Sequence, residues 1–536
     1  MKTAPLLDAA SANALSVAWL VQAVAPASEY GDRVFSELEP FAPGQEAAAA
    51  ERAQKIFGIA QTVDSERLDA VRDALRGAPD AAGAIARASI GDVLTDAHLF
   101  ELQRFCDALT RVDALLDGVA GVERIGNDAT VSTARALESG RTGKFAFYLA
   151  DSFDVRLAAA RARMAAAQAE LDASRGRAAA RIGALLDRDD LTSDEFIVMR
   201  AGVSSLPAGV RVLREAPTYF LCALEYDDAT LAALERRDAA ADEVASAETA
   251  VRGELSSVVR ARAAQLDLAA RAFGEIDVLV AAARFAQAWD CAVPEIVAQP
   301  GIAFERGRFL PLAAELEVEG RAFTPIDVEL HDVAVLTGPN MGGKSVCLRT
   351  CAFVALCAAF GIPVPATSAR VGLFDEIAWL GIGGEDEAMG GLLSSFAKEV
   401  VRLRDVLERN AKRLFVLVDE FARTTTPHEG KALLVALIAR LRVRGACGML
   451  ATHLGGVARE AGARHFAVRG LRGIPARPAT GDLHAALASL AASMDYTIAE
   501  ITGEDGSSAD AIALAGLLGL DPELVADAQK IAAWNR

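Results

Sequence analysis

No two of the seven cysteines have just two residues between them, so the chain carries neither a zinc-ribbon nor a dithiol redox motif. Their scatter fits small buried side chains in a reducing cytosol. No apolar run reaches the roughly 18–20 residues that cross a bilayer. The opening stretch, "MKTAPLLDAASANALSVAWLVQAVAPASEYGD", is broken by Asp8, Ser11 and Asn13. It reads as helix packed on the body rather than as a signal peptide, which makes the expected location cytoplasmic. Lysine is scarce, eight against 47 arginines, as in a GC-rich genome. A basic excess is missing as well: 73 acidic residues face 55 basic ones, and 45 acids against 31 bases precede residue 301. A surface that grips many phosphates has the opposite balance, which argues against strong DNA binding by this part.

What is present is the composition of a folded protein, 52% hydrophobic and 24% charged, long enough for more than one core. Residues 35–135 repeat apolar positions at three- and four-residue spacing, the mark of helices, with Thr95 or Asp96 able to cap one of them. A long Ala/Arg helix follows at 155–187. "EFIVMR", "GVRVLRE" and "TYFLCALEY" (195–226) then read as short antiparallel strands, and helix returns over 228–290. One helix goes out, a small β tip follows and another helix comes back, as in a lever. After Pro294 strand candidates at 333–338, 414–420, 446–453 and 497–502 alternate with helices, which predicts a parallel sheet. The expected domains are a helical lever (1–150), an arm with its β tip (151–255), return helices (256–300) and an α/β domain (301–536).

"GPNMGGKS" (338–345) satisfies G-x-x-x-x-G-K-[ST], placed after a strand and before a helix. Gly338, Pro339, Asn340, Met341, Gly342, Gly343, Lys344, Ser345 and Val346 are therefore candidates for holding a nucleotide. Backbone N–H groups and the helix N-terminus would face the phosphates, Lys344 the β- and γ-phosphates, and Ser345 a Mg²⁺ ion. "LFVLVDE" carries Asp419 and Glu420 to the end of a strand. Asp419 would hold Mg²⁺, and Glu420 would orient or deprotonate the attacking water. His453, closing "ATH" (451–453), reads as a γ-phosphate sensor.

These segments resemble the MutS family. "TGPNMGGKS", "VDEFARTTTPHEG" (418–430) and "ATH" are similar to its ATPase motifs. "SSFAKEV" (394–400) resembles its signature segment and "FTPIDV" (323–328) the stretch before its P-loop. "YGDRVFSELEPF" and "FGEIDVLVAAARFAQ" look like the two ends of its lever. The resemblance implies a C-terminal α/β ABC-type P-loop ATPase domain, preceded by a mainly α-helical lever domain with a small β-rich, clamp-like insertion. It implies ATP and Mg²⁺ as cofactors and a homodimer or a heterodimer with a related chain. Ser394 or Ser395 would reach the nucleotide of the partner, and Phe323 would stack on adenine.

Departures from the family leave the client open. No segment resembles the N-terminal mismatch-recognition domain, the connector or a nuclease module. The family's "GRGTST" has become "ARTTTP" (422–427), and the loss of both glycines should stiffen that loop. Arg200, Arg211 and Arg214 of the β tip could touch a DNA backbone, or be solvated strand charges. One reading is an ATP-driven clamp on DNA, related to repair or recombination. The other, also implied by resemblance, is a reactivase of an adenosylcobalamin-dependent aminomutase of the lysine 5,6-aminomutase type.

Overall fold

The computed structural model describes residues 1–141, 146–189, 191, 195–201, 203, 205–339, 343–381, 395–409, 411–471, 493–501, 512, 515–516 and 520–534. The chain forms two compact units. One comprises Met1–Gly77, Arg111–Arg124 and Arg271–Arg536, the other Ala78–Thr110 and Ile125–Ala270. The first unit thus joins the first 77 residues to the C-terminal half of the chain.

The chain begins with α1 (Ala9–Ala14), α2 (Val17–Ala23), α3 (Glu29–Glu37), α4 (Glu46–Thr62) and α5 (Ser65–Arg76). Asp8, Ser28 and Asp64 accept backbone N–H groups at the starts of α1, α3 and α5, as N-caps do. α6 (Ala82–Ser89), α7 (Asp96–Leu115) and α8 (Asp128–Leu137) follow, with Thr95 Oγ1 accepting the His98 N–H before α7.

The second unit is dominated by α9 (Val155–Leu186) and α10 (Asp228–Arg260), which lie antiparallel. Arg161–Glu248, Arg163–Glu243 and Glu170–Arg236 pair across them, and Ser174 bonds Thr230 in the buried seam. Between them β1 (Glu195–Met199), β2 (Val210–Glu215) and β3 (Tyr219–Leu224) form an antiparallel sheet in the order β1-β3-β2. Its alternation sends Phe196, Val198, Cys222 and Leu224 against Ile182 and Leu191. The returning helix is not continuous: it stops at Arg260, and α11 (Ala263–Ala288) starts afresh.

In the first unit, β4 (Glu295–Val297) and β5 (Ile302–Gly307) precede α12 (Leu310–Val318), followed by β6 (Ile326–Leu330) and β7 (Val333–Thr337). Next come α13 (Lys344–Ala359), β8 (Ser368–Gly372), β9 (Glu376–Leu380), α14 (Ser395–Arg409) and β10 (Leu414–Asp419). The unit ends with α15 (Pro427–Val443), β11 (Cys447–Ala451), α16 (Val457–Ala461), β12 (His465–Leu471), β13 (Met494–Glu500) and α17 (Pro522–Trp534). The larger sheet runs β13-β12-β7-β11-β10-β9. Five of its strands are parallel, but β13 is antiparallel to β12, so the expected all-parallel sheet is in fact mixed. Such an antiparallel strand at the edge of a parallel sheet is a common arrangement. A second sheet, β4-β8-β5-β6, was not expected: its strands are three to six residues long, too short for a strong period-2 signal.

Two contacts tie the N-terminal segment into this unit. Ile377 N–H donates to the Leu6 carbonyl, and Trp379 N–H to Ser11 Oγ, so residues 6–11 cover the free edge of β9. Further on, Asp277 of α11 accepts the N–H of Ala27 and both the N–H and hydroxyl of Ser28. Tyr30 and Phe273 meet edge to face there, and a Cβ on Gly274 would come 2.5 Å from the Tyr30 carbonyl oxygen. The start of α3 and the middle of α11 are thus packed together at one buried carboxylate. Among the described residues no helix is long and apolar enough to cross a membrane.

Candidate nucleotide-binding and hydrolysis site

β7 and β10 are apolar on both faces, as parallel strands covered on both sides must be. The first polar residues beyond them emerge at the carboxyl edge of the sheet. Ala451 of β11 stands in register with Leu336 on one side and Asp419 on the other. Gly338 and the Asp419–Glu420 pair consequently leave the sheet one strand apart, on either side of β11.

Gly343 caps α13 at φ 86°, a left-handed conformation that suits glycine, and a Cβ there would lie 3.2 Å from Tyr496 Cδ1. Lys344 and Ser345 fill the first helical turn. The Lys344 side chain is only 5% exposed; its ammonium donates to the carbonyls of Gly338 (2.9 Å) and Pro339 (3.1 Å). It also lies 3.5 Å from Glu420 Oε1. Val346 follows on the helix, its carbonyl accepting the Thr350 hydroxyl.

Burial holds the Asp419 carboxyl above the usual carboxylate range. A hydrogen bond from Ser345 opposes this, the Glu420 charge adds to it, and Arg349 and Lys344 oppose it. Asp419 Oδ1 is buried and has no hydrogen-bond partner. A buried carboxylate oxygen without a donor, next to a serine hydroxyl, is a hard-oxygen pair of the kind that suits Mg²⁺. The residues present thus fit that ion, which Ser345 and Asp419 would hold.

Glu420 continues β10 by one hydrogen bond, its N–H donating to the Ala451 carbonyl, but its φ is 53°. Its Oε2 lies 3.4 Å from Arg423 Nη1. Ala422 is also left-handed, at φ 63°, where the family pattern has glycine. The buried Ala422 N–H donates to Glu399 Oε2 at 2.9 Å. The loop therefore keeps a glycine-like path without the glycine, held by a carboxylate from α14.

Several sequence candidates come together and others do not. Gly338, Pro339, Gly343, Lys344, Ser345, Asp419 and Glu420 converge. His453 is exposed two residues after β11, and the neighbouring Thr452 N–H donates to the Leu336 carbonyl, so it stands at the same sheet edge. Phe323 is half-buried, three residues before β6, and belongs to none of the contacts above. Asn340, Met341, Gly342 and Ser394 lie outside the described residues; Ser395 opens α14. All seven cysteines are buried and free. Sequence reasoning missed Glu399 and Tyr496. Glu399 was visible inside "SSFAKEV" as the only acid of that segment, whereas nothing local marks Tyr496, about 150 residues from the loop it touches.

A largely parallel sheet whose carboxyl edge carries a helix N-terminus with lysine and serine beside an acidic pair is the arrangement of the P-loop class of folds. A family model described as MutS domain V matches residues 334–471. Over 423 residues the chain is 30% identical to the DNA mismatch repair protein MutS of Granulibacter bethesdensis, covering 73% of this chain and 44% of that protein. It is 34% identical over 211 residues to the protein of that name from Dinoroseobacter shibae, covering 38% of this chain and 24% of the relative. It is 31% identical over 206 residues to the Endonuclease MutS2 of Pelotomaculum thermopropionicum, covering 38% and 25%. The chain belongs to the MutS family. It spans less than half the length of each of these relatives.

Proposed function

We propose that this chain binds and hydrolyses ATP and uses the cycle to drive a dimeric clamp on DNA, in repair or recombination rather than in specific mismatch reading. The observation that carries the ATPase reading is the convergence of Lys344, Ser345, Asp419 and Glu420 at one sheet edge. Lys344, held by two loop carbonyls, exchanges these for β- and γ-phosphate oxygens, which offer more negative charge to an ammonium. Glu420 then loses one of its two cationic neighbours, keeping Arg423, and becomes a better acceptor for a proton from water. Ser345 and Asp419 would hold Mg²⁺, which neutralises phosphate charge when bound. His453 senses the γ-phosphate. Phe323 stacks on the adenine, and Ser394 or Ser395 completes the site of the other subunit, which is either an identical chain or a related one. The helical arm and its β tip serve as lever and clamp.

DNA as the client is supported by the names of the relatives, DNA mismatch repair protein and endonuclease. A protein client, of the adenosylcobalamin-dependent aminomutase class, is favoured by the acidic excess before residue 301. Steady-state ATPase assays with and without duplex, mismatched and branched DNA, across a salt series, separate the two. Binding through phosphates weakens steeply as salt rises, and an ATPase indifferent to every DNA at low salt refutes the DNA reading. For the site itself, Glu420→Gln should retain ATP binding and abolish turnover; undiminished hydrolysis removes Glu420 from its role.

A further inference from the structure

Antiparallel sheets that cap a core usually keep one face apolar and the other polar. The sheet β1-β3-β2 does not. Its inner face covers Ile182 and Leu191. On its outer face Ile197 stands opposite Leu221, and Met199 opposite Tyr219. Ile197 is 48% and Met199 57% exposed, and Leu213, at the irregularity in β2, is 42% exposed. Glu195 from β1 and Arg211 from β2 both stand opposite Ala223, while Arg214 stands opposite Leu221.

We propose that this outer face packs against the same face of a second copy of the chain. The pattern of charge argues for this occupant. A two-fold axis along β3 lays β1 of one copy over β2 of the other without shifting the level along the strands. Glu195 of one copy then meets Arg211 of the second, and the reverse pair forms at once. Leu221 and Tyr219, on the central strand, meet their own counterparts on the axis. Ile197 covers the aliphatic stem of Arg214, a use of arginine that buries carbon and leaves the guanidinium at the rim. A face with acid on one edge strand, base on the other and apolar side chains between them is complementary to itself.

A DNA backbone suits it less. Arg200 is engaged by Glu215 and stacks 4.4 Å from the centroid of Phe220. That leaves Arg211 and Arg214 around a centre of Ile, Met, Leu and Tyr, whereas phosphate contacts are made by charged and polar groups. Size sets how the contact forms. Three strands about 4.8 Å apart and about 17–20 Å long present roughly 250 Å² per copy, or about 500 Å² in all. A stable free-standing interface buries about 1,200 Å² or more. The tips therefore meet only between copies already joined elsewhere, where the effective concentration is of millimolar order. The inference accordingly rests on the dimer reading.

The test uses the full chain with ATP and Mg²⁺, carrying Tyr219→benzoylphenylalanine as a photoreactive probe, with oligomeric state followed by sedimentation. The expected result is a crosslink from position 219 to the 195–226 segment of a second copy, within the sedimenting dimer. Glu195→Arg or Arg211→Glu alone should lower its yield several-fold, and the two together should restore it, a rescue that misfolding does not produce. A dimer that forms without this crosslink overturns the tip contact and leaves the dimer reading intact. So does capture of added duplex DNA by the probe in its place. A chain that stays monomeric overturns both.

Discussion

Replacing Glu399 should slow ATP hydrolysis without weakening ATP binding. Its carboxylate accepts the N–H of Ala422, a residue 2% exposed. A hydrogen bond to a charged group in such a position is worth about 1.5–3 kcal/mol. The loop it holds contains two non-glycine residues at positive φ, Glu420 and Ala422, each costing about 1–2 kcal/mol. Strain of about 2–4 kcal/mol thus presses the loop to relax, and the Glu399 bond is of comparable size. In Glu399→Ala the backbone at 420–422 should move toward ordinary φ values, carrying the Glu420 carboxylate away from the water it must orient. A loss of about 1.4–2.8 kcal/mol of transition-state stabilisation lowers kcat about 10- to 100-fold. KM for ATP should change less than about twofold, since Lys344 and its loop are untouched, a split that identifies loss at the transition state alone. Glu399→Gln, which keeps an oxygen acceptor, should recover much of the rate. Steady-state kinetics with a separate nucleotide-binding titration decide it. Unchanged kcat in both variants, or a parallel rise in KM, refutes the reasoning.

Two other outcomes can be checked directly. Gly343→Ala places a side chain at φ 86° beside Tyr496 and should raise KM for ATP, with a local cost of about 1–2 kcal/mol; unaltered affinity in a binding titration counts against the loop geometry. Asp277→Ala strands three donors at Ala27 and Ser28 and should cost about 3–6 kcal/mol in urea unfolding. Burial, the leading cause, lifts the Asp277 pKa above its ordinary value despite those donors. Its neutral form therefore favours folding at low pH, and that contribution disappears as pH rises through the lifted pKa. The stability gap between wild type and Asp277→Asn should accordingly narrow as pH rises above about 4, the ordinary aspartate value; a widening gap contradicts the sign.

The most legible parts of the sequence were those whose chemistry is local. "GPNMGGKS" and "LFVLVDE" are each one loop and one strand end, so residue type and spacing were enough to place Lys344, Ser345, Asp419 and Glu420. The tip strands were equally readable, because alternation and turn residues act over a few positions. What escaped depended on distance along the chain. Tyr496 reaches Gly343, and Leu6 reaches Ile377, through packing that no window of neighbouring residues contains. β13 was placed, but not its direction, which depends on its pairing with β12. The replacement of glycine by alanine at 422 suggested a different loop. Instead the path persists, since a tertiary hydrogen bond from Glu399 overrides the local preference.

The strip of chain over β9 has a consequence for how the protein is made. Ser11 and its partner Trp379 are 368 residues apart, so the cover leaves the ribosome long before the edge it covers. At about 5–20 residues per second, roughly 20–75 s of synthesis separate them. During that interval Leu6 and Ser11, which bond β9 in the finished fold, have no strand edge to cover. The edge it seals, conversely, emerges after its cover and meets a segment already made.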